Sequence, residues 1–210
     1  MFRDRTDAGR QLAVLVDDLR NAHPVVLGLP RGGVVVAAAV AAALDAELDV
    51  IVVRKIGMPG HSEYAVGALG EGGVRVLDEH LIARLGLEAS AIARVEADER
   101  RALDQRIATL RAEHSMIDLT GRTVIIVDDG LATGATARAA CLAARARGAT
   151  RIVLAVPCAP RHAVHELAEA DEVRSVILSE AFGAVGQFYA RFDQTTDSEV
   201  LALLREARTA

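Results

Sequence analysis

Aromatic side chains are scarce in this chain, which has no tryptophan, two tyrosines and four phenylalanines among 210 residues. Yet 51% of the residues are hydrophobic, and most of these are Ala, Val and Leu. The core must therefore be aliphatic, as in an α/β protein with a buried parallel sheet. The length suits one domain.

The sequence also lacks an excess of positive charge, a leader pattern and a long apolar run. Its 29 acidic and 24 basic residues give a net charge of −5, which disfavours broad, non-specific binding of nucleic acid. No positively charged start leads into an apolar run, so we expect no signal peptide. The uncharged stretch 34–44 is too short to cross a bilayer and predicts a helix packed on a sheet. We expect a cytoplasmic protein.

Cysteine is almost absent. Cys141 and Cys158 both lie in apolar or small surroundings. A single disulfide is conceivable, but buried free thiols in a reducing cytosol are favoured.

Two blocks of the chain alternate buried strands with helices. The first block predicts helix, strand, helix and strand at 6–21, 24–29, about 34–44 and 49–53. The second predicts strand, helix, strand, helix and strand at 123–127, 134–147, 151–157, 159–170 and 172–178. A short helix is expected near 197–208. This alternation is typical of a parallel sheet.

The segment between the blocks, about 59–118, breaks this rhythm. It predicts a hairpin around the turn "EGG", a helix that stops at Gly86 and an amphipathic helix over 88–114. Charged residues interrupt the apolar stripe of that last helix, so it is expected to be partly exposed, bent or paired with another chain. We expect one domain over 1–210, with its core at about 24–58 and 120–180.

The stretch "VIIVDDGLATGAT", residues 124–136, carries the strongest chemical signal. A strand ends in Asp128 and Asp129, at the sheet edge where parallel α/β proteins bind ligands. Gly130 and Gly134 allow close backbone approach, and the following helix N-terminus attracts phosphate. Carboxylates repel phosphate but suit hydroxyls or a cation. The pattern therefore predicts a sugar phosphate, with its diol on the carboxylates and its phosphate on the loop.

Other interpretations of this stretch exist. An apolar strand followed by two acids and a turn is common in α/β proteins without any site. The GxxxxGK[ST] pattern of Walker phosphate loops is absent. An acidic pair also occurs in response-regulator receivers, but there it lies near the start of the domain, and here no Asp closes the strand at 151–157.

The same thirteen residues resemble the phosphoribosyl pyrophosphate signature of the type I phosphoribosyltransferases. The resemblance implies an α/β fold with about five parallel strands flanked by helices and a hood over the active site. It implies that Asp128 and Asp129 bind the ribose hydroxyls and are the catalytic residues, whose negative charge favours a cation and the positive charge that develops on the ribose. The loop that it implies for the 5′-phosphate consists of Gly130, Leu131, Ala132, Thr133, Gly134, Ala135 and Thr136.

Two further motifs support the resemblance. "LPRGG" follows the first strand, where the family has its pyrophosphate loop with a non-proline cis peptide, and this implies a pyrophosphate role for Arg31, Gly32 and Gly33. "VVRKIG" places Arg54 and Lys55 at the end of the second strand, as in several members, where they could clamp pyrophosphate. Without the resemblance, both motifs are typical of surface charges at turns.

The resemblance implies transfer of the 5-phosphoribosyl group from phosphoribosyl pyrophosphate to a nitrogenous base, a purine or a pyrimidine, with release of pyrophosphate. Mg²⁺ is implied as the cofactor, held through the substrate, with Asp128 or Asp129 as candidates for direct contact. We expect no membrane partner, and a homodimer built partly by the helix at 88–114.

The acceptor base is not identified by the sequence. In hypoxanthine–guanine enzymes an acid in the phosphate loop lies near the base, and the aligned residue here is Ala132. The candidates for the acceptor site are Glu63 and Tyr64 in the turn-rich stretch after Lys55, and Phe182, Phe188 and Tyr189 in the C-terminal segment. Core packing is the alternative role of these rings.

Two other classes of function compete with an enzyme. A non-catalytic regulator that senses phosphoribosyl pyrophosphate would keep the motif but would need a basic face for nucleic acid, and the net charge of −5 argues against one. A protein whose helix at 88–114 serves only to dimerise would leave the paired motifs unexplained.

Overall fold

A computed structural model of the chain describes residues 1–112, 114–164 and 166–209, apart from the side chains of Ser62, Glu63 and Thr209. The helices are α1 to α6 in chain order: Arg5–Leu15, Gly32–Leu44, Glu79–Leu85, Ala89–Arg111, Ala135–Ala146 and Asp197–Thr209. The strands are β1 to β8: Val25–Gly28, Glu47–Val50, Val53–Met58, His61–Gly70, Val74–Leu77, Thr123–Val127, Arg151–Pro160 and Glu172–Ser179.

The main sheet has five parallel strands in the order β2-β1-β6-β7-β8. Alternate side chains of its strands enter two different cores, because successive residues of a strand point to opposite faces. Val26 and Ile125 pack with α1, α2 and α6, whereas Val25 and Val124 pack with α5. The expected α/β fold, with a five-stranded parallel sheet flanked by helices, is confirmed.

A second sheet, β3-β4-β5, is antiparallel and lies between α4 and α5. It contains the hairpin expected around "EGG", whose Glu71–Gly73 form a short 3₁₀ turn. The helix expected to stop at Gly86 does so, because Gly86 takes left-handed dihedrals (φ 61°) after α3. The long helix expected at 88–114 is α4, and its buried Ile92, Leu103 and Leu110 join the main core.

Three predictions about the elements were wrong or partly wrong. The described residues of 159–170 form no helix: β7 continues to Pro160 and pairs with β8, and turns follow. Proline lacks an N–H and keeps the residue before it extended, which favours the strand. The helix expected at 6–21 ends at Leu15 and a 3₁₀ helix, Asp17–Ala22, follows.

The second core strand is also shorter than expected and ends at Val50. The chain then crosses to the second sheet, so Arg54 and Lys55 lie on β3 and not at the end of a core strand. Strand pairing with β4, which local sequence does not reveal, decides this.

Both cysteines are buried free thiols, as expected. Burial raises the pKa of each thiol to about 12. In the part of the chain that the structure describes, no helix is both long and apolar enough to cross a membrane.

A buried ion-pair network ties α4 to both sheets. The Arg111 guanidinium is 2.6 Å from a carboxylate oxygen of Asp49 on β2 and 2.6 Å from one of Glu71, and these three side chains are at most 10% exposed. Arg111 also donates to the carbonyl of Val50 at 3.1 Å, and Asp49 accepts from the amide of Ile117 at 3.0 Å. The network fixes the second sheet against the main one.

Replacing Arg111 with Met should lower the free energy of unfolding by about 3–5 kcal/mol, because it leaves two buried carboxylates without their cation. Urea unfolding of both proteins measures the difference. Arg101→Met is the matched control on the same helix, since Arg101 and its partner Asp98 are 71% and 72% exposed. It should cost less than about 0.5 kcal/mol, and equal losses in the two variants would contradict the role of the network.

Candidate functional site

The site is built where β1 and β6 end side by side. Gly28 is the register partner of Val127 in this parallel pair, and the amide of Leu29 donates to the carbonyl of Val127 at 2.9 Å. The loops that leave the two strands therefore start next to each other. One carries "PRGG" and the other carries the acidic pair, which is the arrangement expected from the sequence.

The glycines of the first loop touch the acids of the second. A Cβ on Gly32 would lie 2.0 Å from Oδ2 of Asp129, and a Cβ on Gly33 would lie 2.9 Å from Oδ1 of Asp128. Any larger residue at either position would displace a carboxylate. The peptide bond between Pro30 and Arg31 is cis, as the resemblance implies for this loop.

Asp128 faces the small-residue loop. One of its carboxylate oxygens, Oδ1, accepts from the amide of Asp129 at 2.9 Å, and no described residue hydrogen-bonds to Oδ2. The side chain lines a cavity of about 130 Å³ together with residues 130–137. Burial, and next the charge of Asp129, raise the pKa of Asp128 to about 8.

Asp129 is held from two sides. Its Oδ2 lies 2.8 Å from both Nε and Nη2 of Arg5, which comes from the start of α1. The Tyr189 hydroxyl donates to the backbone carbonyl of Asp129 at 2.5 Å. Oδ1 receives no hydrogen bond from the described residues, so each aspartate keeps one oxygen for a ligand.

The loop between the acids and α5 has the form of an anion cradle. Gly134 has φ of 75°, a left-handed conformation that glycine adopts without strain, and α5 begins at the next residue. The amides of the first turn of α5 therefore face the cavity without intrahelical partners. Ala132, Thr133 and Thr136 are exposed, whereas Leu131 is buried and offers the loop only its backbone.

Close packing also surrounds Gly130. A Cβ there would lie 2.5 Å from the side chain of Val185 and 2.9 Å from Sγ of Cys158. The C-terminal segment, defined here as residues 181–193, thus reaches the loop through Val185 and the acids through Tyr189.

The basic candidates for pyrophosphate lie in two places. Arg31 follows β1 and is 39% exposed. Its guanidinium lies 4.0 Å from the carboxylate of Asp197 at the start of α6, and Asp197 also pairs with Arg106 of α4. Arg54 on β3 instead pairs with Glu99 of α4 at 2.7 Å. Lys55 and Glu99 line a separate cavity that contains no residue of the acidic loop.

The acceptor candidates are likewise divided. Tyr64 is 68% exposed and lines a cavity of about 640 Å³ that it shares with Thr133 and Ala135. The side chain of Glu63 lies outside the described residues. Phe182 and Phe188 are half-buried and stack on each other, with ring centroids 5.1 Å apart.

Tyr189 is unsuited to stacking on a base. It is 6% exposed, packs on Phe2 with centroids 5.4 Å apart, and uses its hydroxyl on Asp129. Burial raises the pKa of this phenol above its ordinary value. The ring and the hydroxyl of Tyr189 are therefore both engaged in contacts beside the acids.

Arg5 and Asp197 are residues of the site that sequence reasoning missed. Each belongs to a terminal helix and forms an ion pair with a charged residue of a predicted motif. Arg5 pairs with Asp129, and Asp197 lies beside Arg31. Nothing in the local sequence of either helix signals such a contact.

No cluster of three or more His, Cys, Asp or Glu that could hold a metal ion occurs among the described residues. The free oxygens of Asp128 and Asp129 suit a hard cation such as Mg²⁺ only if most of its ligands come from elsewhere, such as a bound phosphate.

Comparisons of sequence and of structure relate the chain to phosphoribosyl transferases. The family model described as the phosphoribosyl transferase domain matches residues 5–193. Two curated Mycobacterium tuberculosis proteins, from two strains, are 51% identical over 208 residues and carry provisional names as phosphoribosyl transferases. The match covers 99% of this chain but 47% of each relative, so the chain spans about half the length of the curated relatives it matches.

Solved structures resemble most of the chain. The protein TT1426 from Thermus thermophilus superposes with a TM-score of 0.91 at 44% identity, covering 98% of both chains. A hypoxanthine phosphoribosyltransferase from Staphylococcus aureus shares the fold, with a TM-score of 0.50 at 12% identity, covering 85% of this chain and 77% of that one.

The pKa of Asp128 makes stability depend on pH in a defined direction. In the folded chain the pKa is about 8, against an ordinary 3.8, so between these values the folded protein keeps a proton that the unfolded chain has lost. The contribution of Asp128 to stability is therefore full below about pH 4 and is lost as the pH rises toward 8.

Asp128→Asn should remove this loss. The wild type should lose stability between pH 5 and pH 8, and the variant should not. The free energy of unfolding of the variant minus that of the wild type should therefore grow by about 1–3 kcal/mol over this range. Urea unfolding at both pH values measures it, with Asp98→Asn at the exposed position on α4 as the control. A difference from wild type that stays constant across this range would contradict the assignment.

Proposed function

The chain belongs to the type I phosphoribosyltransferase family, and from that premise we propose that it transfers the 5-phosphoribosyl group of phosphoribosyl pyrophosphate to a nitrogenous base. A ring nitrogen of the base would displace pyrophosphate from C1 of the ribose with inversion. One observation carries the proposal: the acid pair, the anion cradle and the "PRGG" loop meet at the ends of two paired strands.

The carboxylates would bind the ribose diol. Oδ2 of Asp128 and Oδ1 of Asp129 are the oxygens that the described residues leave without hydrogen bonds, and each can accept from one hydroxyl. The same negative charge favours the positive charge that develops on the ribose ring as pyrophosphate departs. Binding of a hydroxyl at Asp128 would also favour its ionised form over the protonated one.

Residues 130–136 would hold the 5′-phosphate. The free amides at the start of α5 supply hydrogen-bond donors, and the exposed hydroxyls of Thr133 and Thr136 add two more. The cavity of about 130 Å³ that these residues share with Asp128 is of the right order for a phosphate group beside a sugar. The distance from the phosphate to the acids would be short, because both features belong to one loop.

The first loop would hold the leaving pyrophosphate. Arg31 offers a guanidinium that matches phosphate oxygens, and Gly32 and Gly33 pack closely against the two acids, beside which C1 of the ribose would be placed. Arg54 and Lys55 lie on the second sheet, and a pyrophosphate role for them would require β3 and its hairpin to approach the site.

Mg²⁺ is part of the proposal as a cofactor that would neutralise the pyrophosphate and polarise its bond to C1. Among the described carboxylates of the site, one oxygen of Asp128 and one of Asp129 carry no hydrogen bond and could bind it, so the substrate would supply most of its ligands. The tasks of the chain itself are to bind, orient and exclude water.

The acceptor is the open part of the proposal. Phe182 and Phe188 form a half-buried aromatic pair on the segment that touches Gly130 through Val185, and a flat base could stack there. Tyr64 borders the other side of the phosphate loop. A homodimer in the cytoplasm remains an expectation from the sequence.

Titration calorimetry with phosphoribosyl pyrophosphate and Mg²⁺ tests the donor site. We expect the wild type to bind, and Asp128→Asn/Asp129→Asn to lose on the order of a hundredfold in affinity, because both hydroxyls lose charged acceptors. Asp98→Asn, at the exposed position on α4, is the control and should bind as wild type does.

Turnover is tested next by pyrophosphate release with a panel of purine and pyrimidine bases. Release that depends on one base would identify the acceptor. Binding without release for every base would favour the alternative, a regulator that only senses phosphoribosyl pyrophosphate. Absence of donor binding by the folded wild type would exclude both functions.

A further inference from the structure

Arg5 makes an unusual contact with the acidic pair. It is the first residue of α1, 124 positions from Asp129, and both side chains are largely buried, at 12% and 18% exposure. Two nitrogens of the guanidinium, Nε and Nη2, converge on the single oxygen Oδ2 at 2.8 Å. The pair therefore fixes which oxygen of Asp129 points away from the protein.

The remaining sides of the guanidinium are also occupied. Nη1 donates to the carbonyl of Asp193 at 2.6 Å, and the ring of Phe192 lies under the guanidinium with its centroid 3.9 Å from the central carbon. Arg5 is thus held in one orientation by the C-terminal segment. Its ion pair with Asp129 is therefore held in a fixed geometry.

Gly32 completes the contact. A Cβ at this glycine would lie 2.0 Å from Oδ2 of Asp129 and 2.7 Å from Nε of Arg5, so the pyrophosphate loop packs directly on the ion pair. The backbone carbonyl of Asp129 is fixed as well, by the Tyr189 hydroxyl. The one polar atom of Asp129 left for a ligand is Oδ1, among the contacts that the structure describes.

Arg5 also offsets the negative charge of the acid pair, where two adjacent carboxylates repel each other. The two carboxylates would also repel a phosphorylated sugar. Arg5 neutralises one of them without competing for the loop amides, and its charge lowers the pKa of Asp128 against the larger upward effects of burial and Asp129.

We propose that Arg5 is a positioning residue for the donor sugar: it holds Oδ2 of Asp129 so that Oδ1 meets one ribose hydroxyl. The inference rests on the proposed function, because it assigns the diol to the acids. The competing account is that Arg5 only ties the two ends of the chain together. The two accounts differ in whether the effect of Arg5 passes through Asp129.

A double-mutant cycle separates them. Wild type, Arg5→Met, Asp129→Asn and the double variant are titrated with phosphoribosyl pyrophosphate and Mg²⁺. Arg5→Met should weaken binding on the order of tenfold, whereas the same change in the Asp129→Asn background should weaken it less than about twofold. Arg5→Lys keeps the charge but not the two-point contact, so it should regain only part of the loss.

Two ligands serve as internal controls. Ribose 5-phosphate carries the hydroxyls, and its affinity should fall in Arg5→Met as that of the full donor does. Inorganic pyrophosphate lacks them, and its affinity should change less than about twofold. Urea unfolding of each variant establishes that it is folded, and Arg5→Lys takes the place of Arg5→Met in the cycle if the Met variant does not fold.

The outcomes are distinguishable from those of the proposed function. Additive losses in the double variant, or equal losses for ribose 5-phosphate and pyrophosphate, would overturn the role of Arg5 while leaving the donor site intact. Donor binding that is absent already in the folded wild type would overturn the proposed function and this inference together.

Discussion

The parallel pairing of β1 with β6 is the constraint on which the site depends. The register that sets Gly28 beside Val127 brings two loops, about a hundred residues apart in sequence, to the same edge of the sheet. Because the loops start in contact, Gly32 and Gly33 must be small enough to lie against the two carboxylates. A shift of one residue in this register would turn the strand side chains to the other core and separate the loops.

Placing two acids together is costly, and Arg5 of the first helix offsets part of that cost. Burial and mutual repulsion raise the pKa of Asp128, so the site is less stable than a neutral pair would be. Arg5 from α1 forms an ion pair with Asp129, and Asp197 from α6 lies near the partly exposed Arg31. Residues of both terminal helices thus contact charged side chains of the two loops at the proposed site.

The sequence predicted the parts of this arrangement that are local. The strand that ends just before Asp128, the glycine loop and the start of α5 all follow from thirteen consecutive residues, and the alternation of strands and helices predicted the main sheet. The Arg5 contact could not be predicted, because it joins residues 124 positions apart without any motif. Pairing overrode local pattern in β7, which runs to Pro160 where a helix was expected, and in β3, which carries Arg54 away from the core sheet.

The C-terminal segment links the two halves of the proposed reaction. Through Tyr189 and Phe192 it contacts Asp129 and its partner Arg5, and through Val185 it packs on Gly130 of the proposed phosphate loop. The same segment carries the pair Phe182 and Phe188, the rings with which an acceptor base could stack. If the acceptor stacks on these rings, the segment that it contacts is the one that already touches Asp129 through Tyr189 and Gly130 through Val185 in the structure.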